Sequence, residues 1–249
     1  MSPWAVAAAC MGPRTMTIMN IETTYPLFHP SSNLGRVPVR REVAQRLLEA
    51  IFRGQLPAGT SLKTAELAEQ FGRSSTPVRE ALLELETLGV IRFHHNRGAV
   101  VCRFGREELQ EIYELRRILE TEATRRACGR IERASLDQLD HDTSDLAADC
   151  SGQERLQQAL QVDLALHELV AACCSNSRLA GEIRRYATLV QTIRGIIEND
   201  RKVQERAMWE HKAVIDALLA GDEEMARAAM SAHIASAAAS AEAAMFRTR

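Results

Sequence analysis

TAELAEQFGRSSTPVREALLELETLG, residues 64–89, is the stretch that decides how the first part of this chain folds. Its large apolar residues recur every three or four positions, except across the polar gap at residues 72–75. This pattern predicts a helix, a tight turn and a second helix. Ser74 or Ser75 is the expected cap of the second helix, and Pro77 fits its first turn, where a missing N–H leaves no bond unmade. We therefore predict a helix-turn-helix whose second helix enters the major groove of DNA.

A β-hairpin is predicted directly after the second helix. Two short apolar runs, at residues 90–93 and 99–101, flank the polar turn HHNRG at residues 94–98. The helix-turn-helix stretch alone also fits an ordinary helical hairpin. The added β-hairpin, with basic and amide side chains at its tip, indicates a winged helix instead. Such a wing reaches the minor groove or the neighbouring phosphates.

Polar residues of this unit are the candidate DNA contacts. On the second helix, two hydroxyl groups and one guanidinium lie opposite the apolar side, where they can bond phosphates or base edges. The predicted DNA-binding residues are Arg40, Arg73, Ser75, Thr76, Arg79, His95, Asn96 and Arg97. Arg79 is expected to be the principal base-reading residue.

Charge is distributed unevenly, although the formal net charge is only −2. Residues 36–103 contain eleven Lys or Arg and seven Glu, whereas residues 104–249 contain nineteen basic and twenty-five acidic residues. The basic part is the one with the helix-turn-helix, as expected for a segment that contacts phosphates.

Composition favours a helical protein of a reducing compartment. Hydrophobic residues make up 46% of the chain but aromatic residues only 4%, which favours Ala/Leu-rich helices over a sheet. The six cysteines show no CxxC spacing, so we interpret them as reduced thiols of a cytoplasmic protein. No run of eighteen apolar residues occurs, and no membrane span is predicted.

The chain divides into three predicted parts: a disordered arm over residues 1–35, a winged helix over residues 36–104, and an all-helical domain over residues 105–249. In the helical domain, apolar periodicity and polar or Gly-containing breaks predict six helices. Their expected ranges are 106–130, 132–150, 154–174, 177–199, 202–220 and 222–246. We therefore predict a mainly α fold, in which a winged helix-turn-helix precedes a helical bundle.

Four residues of the bundle have the chemistry of metal ligands. Asp163 and His167 are four positions apart, which places a carboxylate and an imidazole on one helix face. His211 and His233 each lie on an otherwise apolar helix. Taken singly, each histidine also fits a hydrogen-bonded core position. Four candidate ligands on three helices favour a divalent metal, zinc first, with nickel or manganese as alternatives.

The first part of the chain resembles a known family. The segment from residue 39 to residue 101 contains IFRGQLPAG at 51–59, ELA at 66–68, TPVREAL at 76–82 and NRG at 96–98. These motifs are similar to the DNA-binding domain of GntR-type bacterial transcription regulators. The resemblance implies a winged helix that binds double-stranded DNA.

The helical part resembles the FCD effector domain of the FadR-type branch of that family. The resemblance rests on YELR at 113–116 with LE at 119–120, the Asp163/His167 pair, EH at 210–211 and HI at 233–234. It implies that Asp163, His167, His211 and His233 hold the metal. It also implies that Arg116 and Asn176 bind the effector, with Arg116 on a carboxylate. Arg117, about 100° further around the helix, is expected to be a solvated surface charge.

This sequence departs from the family pattern at the start of the reading helix. The family usually has VSRTP where this chain has RSSTP at residues 73–77, so the arginine expected at position 75 is absent. We expect Arg73 to replace it partly, through a phosphate contact. The operator sequence therefore cannot be transferred from the family.

The leading hypothesis is a ligand-responsive, homodimeric transcription regulator without catalytic activity, expected to be a repressor that binds an inverted-repeat operator. Its effector is expected to be a small organic carboxylate, because a cation beside an arginine is an anion site. A metal-dependent hydrolase is the alternative from another class, since a metal with open positions activates water. A purely structural metal that stiffens the bundle is a third possibility.

Overall fold

The computed structural model describes residues 38–95, 98–149, 152–197 and 201–246, and these form a mainly helical protein with a small sheet. The predicted mainly α fold is therefore confirmed. The predicted disordered arm and the wing-tip residues Asn96 and Arg97 lie outside the described residues, as do Cys10 and Cys150.

The first unit is the winged helix predicted from the sequence. Its elements are α1 (Val39–Phe52), β1 (Ser61–Leu62), α2 (Thr64–Gln70), α3 (Ser75–Thr87), β2 (Ile91–His94) and β3 (Gly98–Val101). The turn between α2 and α3 passes through Gly72 at φ +59°, a left-handed conformation that glycine adopts without a steric cost. Ser74 is the N-cap residue of α3, but its side chain makes no capping hydrogen bond.

The wing belongs to an antiparallel sheet in the strand order β1, β3, β2. Ile91 pairs with Val101 and His94 with Gly98, which confirms the predicted hairpin. Strand β1 pairs Ser61 with Val100 and was not expected from the sequence, because two residues are too few to show an alternating pattern.

Apolar residues from all three helices form the core of this unit. They are fully buried and recur at helical spacing, so each helix turns one stripe inward. Examples are Leu47, Leu48, Leu67, Val78, Leu82 and Leu85. The opposite side of α3 is exposed, and Ser75, Thr76 and Arg79 lie there.

The second unit consists, within the described residues, of six helices. They are α4 (Arg106–Ala127), α5 (Arg133–Ala148), α6 (Gln153–Cys173), α7 (Ser177–Ile197), α8 (Arg201–Ala220) and α9 (Glu223–Met245). The predicted helices are confirmed to within three residues at each end. Helix α9 packs on both α4 and α8, and α6 packs on α4 and α7.

The two units touch through α7, which packs against α1. At this contact the Thr188 hydroxyl donates a hydrogen bond of 2.9 Å to Oε1 of Glu84 on α3. Oε2 of the same carboxylate lies 3.5 Å from Nε of Arg40 on α1. A helix of the bundle is thereby joined directly to the reading helix.

The described residues include four of the six cysteines. Cys102, Cys128, Cys173 and Cys174 are free thiols there, as expected. None of the described helices combines the length and the apolar character needed to cross a membrane.

Candidate metal and effector site

Asp163, His167, His211 and His233 converge in the centre of the bundle, as the sequence predicted. All four are buried, and one potential ligand atom from each lies within 4.8 Å of the others. Asp163 and His167 lie one turn apart on α6, whose neighbouring Val162 is also buried.

His211 and His233 lie on α8 and α9, which are joined by a tight turn. Gly221 occupies this turn at φ +71°, and the Asp222 carboxylate accepts a hydrogen bond of 2.9 Å from the Met225 N–H to cap α9. The chain reverses direction near the middle of the interval between the two histidines. Their side chains therefore reach the same level of the bundle.

Two glutamates orient the imidazole rings. Nδ1 of His233 donates to Oε2 of Glu210 at 3.0 Å, and Nδ1 of His167 contacts Oε2 of Glu120. A carboxylate at Nδ1 directs the Nε2 lone pair of the ring toward a metal. Nε2 is the ring atom that both histidines turn toward the centre of the cluster.

The spacing of the ligand atoms fits a small divalent ion. His211 Nε2 lies 2.9 Å from Asp163 Oδ1 and 3.2 Å from His233 Nε2, while His167 Nε2 lies 3.5 Å from Asp163 Oδ1. Ligands about 2.0–2.2 Å from an ion, at angles near 90–110°, are themselves separated by roughly 2.9–3.5 Å. Three imidazoles and one carboxylate are a donor set that suits zinc, nickel or manganese.

Neighbouring charges and burial determine which groups of the cluster are protonated. Burial raises the pKa of Asp163, but Arg194 and His167 outweigh burial and hold that pKa well below its usual value. Burial lowers the pKa of His167, but the carboxylates of Glu120 and Asp163 outweigh it and raise that pKa to about 9. Burial lowers the pKa of both His211 and His233. The cluster therefore offers an ionised carboxylate and two neutral imidazoles.

Arg194 on α7 is part of this cluster, which the sequence reading missed. Its Nη1 lies 2.6 Å from Asp163 Oδ1, and its Nη2 donates to Nε2 of His233 at 3.3 Å. The sequence did contain one signal: a single arginine within the apolar run TIRGII of α7. An arginine among apolar neighbours indicates a side chain that faces the interior of the bundle.

Arg116 lies beside the cluster on α4, as predicted, and is only 4% exposed. Its Nε donates to Oε1 of Glu120 at 2.8 Å, and its guanidinium stacks 5.0 Å from the centre of the Tyr113 ring. Nη1 is buried without a hydrogen-bond partner in the described part of the chain. Arg117 is exposed, as expected.

Two small cavities flank the cluster in the described structure. One, which we call the Arg116 cavity, is lined by Arg116, Glu120, Asp163, His167, Tyr186 and Gln191 among others. The second, the Arg194 cavity, is lined by Tyr113, Arg194, Glu210, His233, Ser236 and Ser240 among others. Asp163 and His167 thus line one cavity, and His233 lines the other.

Asn176 is not placed beside either cavity. It precedes α7, where its Oδ1 accepts a hydrogen bond of 3.1 Å from the Leu179 N–H. This is the geometry of a helix cap, which explains an asparagine there without a ligand.

The predicted DNA contacts that the structure describes are all exposed or half-buried on the winged helix. Arg73 lies in the turn before α3, with Nη2 3.4 Å from Glu42 Oε2. Arg40 is 52% exposed in its side chain and shares Glu84 with Thr188. His95 is exposed in the turn that follows β2.

Each of the two structural units matches a known protein-family model. The model of "bacterial regulatory proteins, gntR family" matches residues 39–101, and the FCD domain model matches residues 111–236. The chain belongs to the GntR family. Its FCD domain contains Arg116, Arg194 and all four predicted metal ligands. As a GntR regulator with an FCD domain, the protein is a DNA-binding regulator of transcription and not an enzyme.

Curated relatives support the same family, and a solved structure shares the fold. A probable D-xylose utilization operon transcriptional repressor of Paenarthrobacter nicotinovorans is 29% identical over 82% of this chain and 89% of its own length. The gluconate operon transcriptional repressor of Bacillus licheniformis is 36% identical over 47% of this chain and 46% of its own length. The solved structure of Escherichia coli McbR/YncC has a TM-score of 0.60 at 24% identity, covering 80% of this chain and 95% of that one.

Proposed function

We propose that this GntR-family protein is a transcriptional repressor whose FCD domain holds a divalent metal and binds a small organic carboxylate as its effector. It acts in the cytoplasm on double-stranded DNA. The metal ligands are Asp163, His167, His211 and His233, and zinc is the first candidate. The observation that carries this proposal is the buried cluster itself, in which one ligand atom from each of four residues on three helices lies within 4.8 Å of the others.

Burial of the cluster supports a bound cation. An ionised carboxylate and the lone pairs of two neutral imidazoles in one buried volume are costly unless each is paired. A divalent ion satisfies these ligand atoms together. When bound, it supplies a positive centre to which an anionic group can attach.

Arg116 supports a carboxylate effector at the same site. Its guanidinium is held by Glu120 on one side, and the buried Nη1 remains available as a donor in the described structure. A guanidinium with a free N–H beside a metal favours a ligand with a compact, delocalised negative charge. The Arg116 cavity contains this arginine together with Asp163 and His167.

The action on DNA follows from the winged helix and from the relatives. Two similar proteins are named as repressors of operons for D-xylose utilization and gluconate, which supports repression as the mode of action here. Effector binding in the FCD domain would then change the affinity for DNA. A ligand achieves this only if it binds the DNA-competent and DNA-released forms with different affinity.

A purely structural metal is the second candidate for the cluster. The Arg116 cavity argues against it, because a metal that only stiffens the bundle needs no adjoining space with an unpaired guanidinium N–H.

The test is a thermal-shift screen of zinc-loaded protein against small carboxylic acids, after elemental analysis of the purified protein. A true effector at a hundred times its dissociation constant stabilises the protein by roughly 2.7 kcal/mol. Arg116→Gln should abolish the shift, while the neighbouring surface variant Arg117→Gln should retain it. Failure to bind metal after reconstitution would refute the proposal. Metal binding with no response to any carboxylate would favour the structural metal.

A further inference from the structure

The contacts of Arg194 involve the same atoms that the metal would use. Nη1 lies 2.6 Å from Asp163 Oδ1, and Nη2 donates to His233 Nε2 at 3.3 Å. Arg194 is 7% exposed, so its charge is buried together with the ligand set. One cation from the protein itself therefore contacts two of the four ligand residues.

These contacts and metal coordination exclude each other at His233. A neutral imidazole has one N–H and one acceptor nitrogen. Because Nδ1 donates to Glu210, the acceptor is Nε2, and its single lone pair receives the N–H of Arg194. The same lone pair cannot bind a metal ion at the same time.

At Asp163, charge repulsion also makes the Arg194 contact and metal binding mutually exclusive. A guanidinium in contact with Oδ1 neutralises the carboxylate, and a divalent ion at that oxygen would bring a second, larger positive charge next to the first. Two buried cations at such a separation repel strongly, since little water lies between them. Arg194 must then move away when the metal enters.

The structure offers a place for the displaced side chain. Arg194 lines the Arg194 cavity, where the Glu210 carboxylate and the hydroxyl groups of Ser236 and Ser240 also lie. These acceptors can receive the guanidinium N–H groups once Asp163 and His233 are taken by the metal.

We propose that Arg194 is an internal competitor of the metal: its guanidinium holds Asp163 and His233 when no metal is bound, and metal binding displaces it toward the Arg194 cavity. This inference rests on the proposed metal function of the cluster. It assigns to Arg194 the role of setting metal affinity, in the direction of weaker and therefore reversible binding.

The test is the affinity of the full-length protein for Zn²⁺, measured by competition with a chromophoric chelator. Arg194→Gln should bind Zn²⁺ at least tenfold more tightly than the wild type. Arg194→Lys should fall between them, because one ammonium group cannot contact Asp163 and His233 in the same way. The matched control is Arg185→Gln, which removes an exposed arginine from the same helix, where it pairs with Glu182 away from both cavities, and should leave the affinity unchanged.

Thermal stability gives a second measurement that does not depend on effector or DNA. In the presence of a strong chelator, Arg194→Gln should melt at a lower temperature than the wild type, because the buried Asp163 carboxylate loses its cation. Zn²⁺ should then raise the melting temperature of the variant more than that of the wild type. If Arg194→Gln fails to fold, Arg194→Lys carries both measurements.

The outcomes separate this inference from the proposed function. Unchanged or weaker Zn²⁺ binding by the Arg194 variants, with normal binding by the wild type, would overturn the competitor role and leave the metal site intact. A wild type that binds no Zn²⁺ would overturn the metal site and the competitor role together.

Discussion

At the scale of single residues, Glu120 connects the cluster of candidate metal ligands to the candidate effector-binding arginine. Its carboxylate accepts from Arg116 through Oε1 and contacts His167 through Oε2. Burial raises the pKa of Glu120, but Arg116 and His167 outweigh burial and bring it to about 2, so the carboxylate is ionised at neutral pH. The residue that orients the proposed metal ligand His167 is thus the same one that holds the proposed effector-binding arginine.

Replacing this carboxylate should weaken metal binding without removing a ligand. In Glu120→Gln the ring of His167 loses a charged partner at Nδ1, which lowers its basicity and frees its orientation. Loss of such a supporting partner typically costs about tenfold to a hundredfold in metal affinity. Chelator competition with Zn²⁺ measures the change.

Glu122→Gln is the control for this measurement. Glu122 lies on the same helix but is paired with Arg125 and Arg126 at the surface, so its replacement should not alter Zn²⁺ affinity. Equal affinities for the Glu120 variant and the wild type would show that Glu120 does not support the metal ligand.

Residues of the site differed in how far the sequence could predict them. The four ligands were predictable because Asp and His are rare on otherwise apolar helix faces. The spacing between these residues along the chain also indicates which of them can lie close together. Arg194 interrupts an apolar run, but that pattern alone did not reveal its role, which depends on the packing of α7 beside α6 and α9. The cap role of Asn176 shows the converse: a residue placed in the site by family resemblance has a local structural reason to be present.

At the scale of elements, the long helices were predictable and the short strand was not. Helices α4 to α9 each repeat the apolar pattern over several turns, so their limits could be read from where the pattern stops. Strand β1 exists only because β3 pairs with it, and its two residues carry no periodicity of their own. Tertiary contact decides such short elements.

Helix α7 contacts both the candidate site and the winged helix. Arg194 near its end reaches the metal ligands, and Val190 and Gln191 line the Arg116 cavity. Thr188, on another face of the helix, donates to Glu84 on the reading helix. If the ligand displaces α7, this hydrogen bond would transmit the displacement directly to α3.

Removing this hydrogen bond should uncouple the effector from DNA. Thr188→Val keeps the shape of the side chain but loses the hydroxyl, and a hydrogen bond to a charged group contributes about 1.5–3 kcal/mol. We expect Zn²⁺ and effector binding to stay unchanged. The ratio of DNA affinities with and without effector should fall by about tenfold, measured by fluorescence anisotropy on operator DNA.

Thr192→Val is a close control for this variant. Thr192 lies one turn later on α7, and its hydroxyl donates to the Thr188 carbonyl within the helix rather than to the winged helix. Its coupling ratio should equal that of the wild type. A Thr188 variant with wild-type coupling would mean that the signal passes through other contacts.

At the scale of the whole molecule, one copy of the chain has too little surface for tight, selective DNA binding. A single DNA-binding module of this size covers only about 600–1,000 Å² of protein surface on DNA. The helical bundle also exposes large apolar side chains, including Ile118 at 60% and Trp209 at 61%. These exposed apolar side chains are candidates for a contact between two copies of the chain.

We therefore expect a two-fold symmetric dimer that reads an inverted repeat, because a dimer places two identical winged helices on two equivalent half-sites. Selection from random duplexes with the metal-loaded protein should yield inverted repeats. A duplex with one half-site scrambled should bind roughly a hundredfold more weakly, since the second winged helix adds affinity without a new association step. Sedimentation should show a dimer at micromolar concentration, both free and on DNA. A monomer in both conditions, or equal affinity for the intact and half-scrambled duplexes, would contradict this assembly.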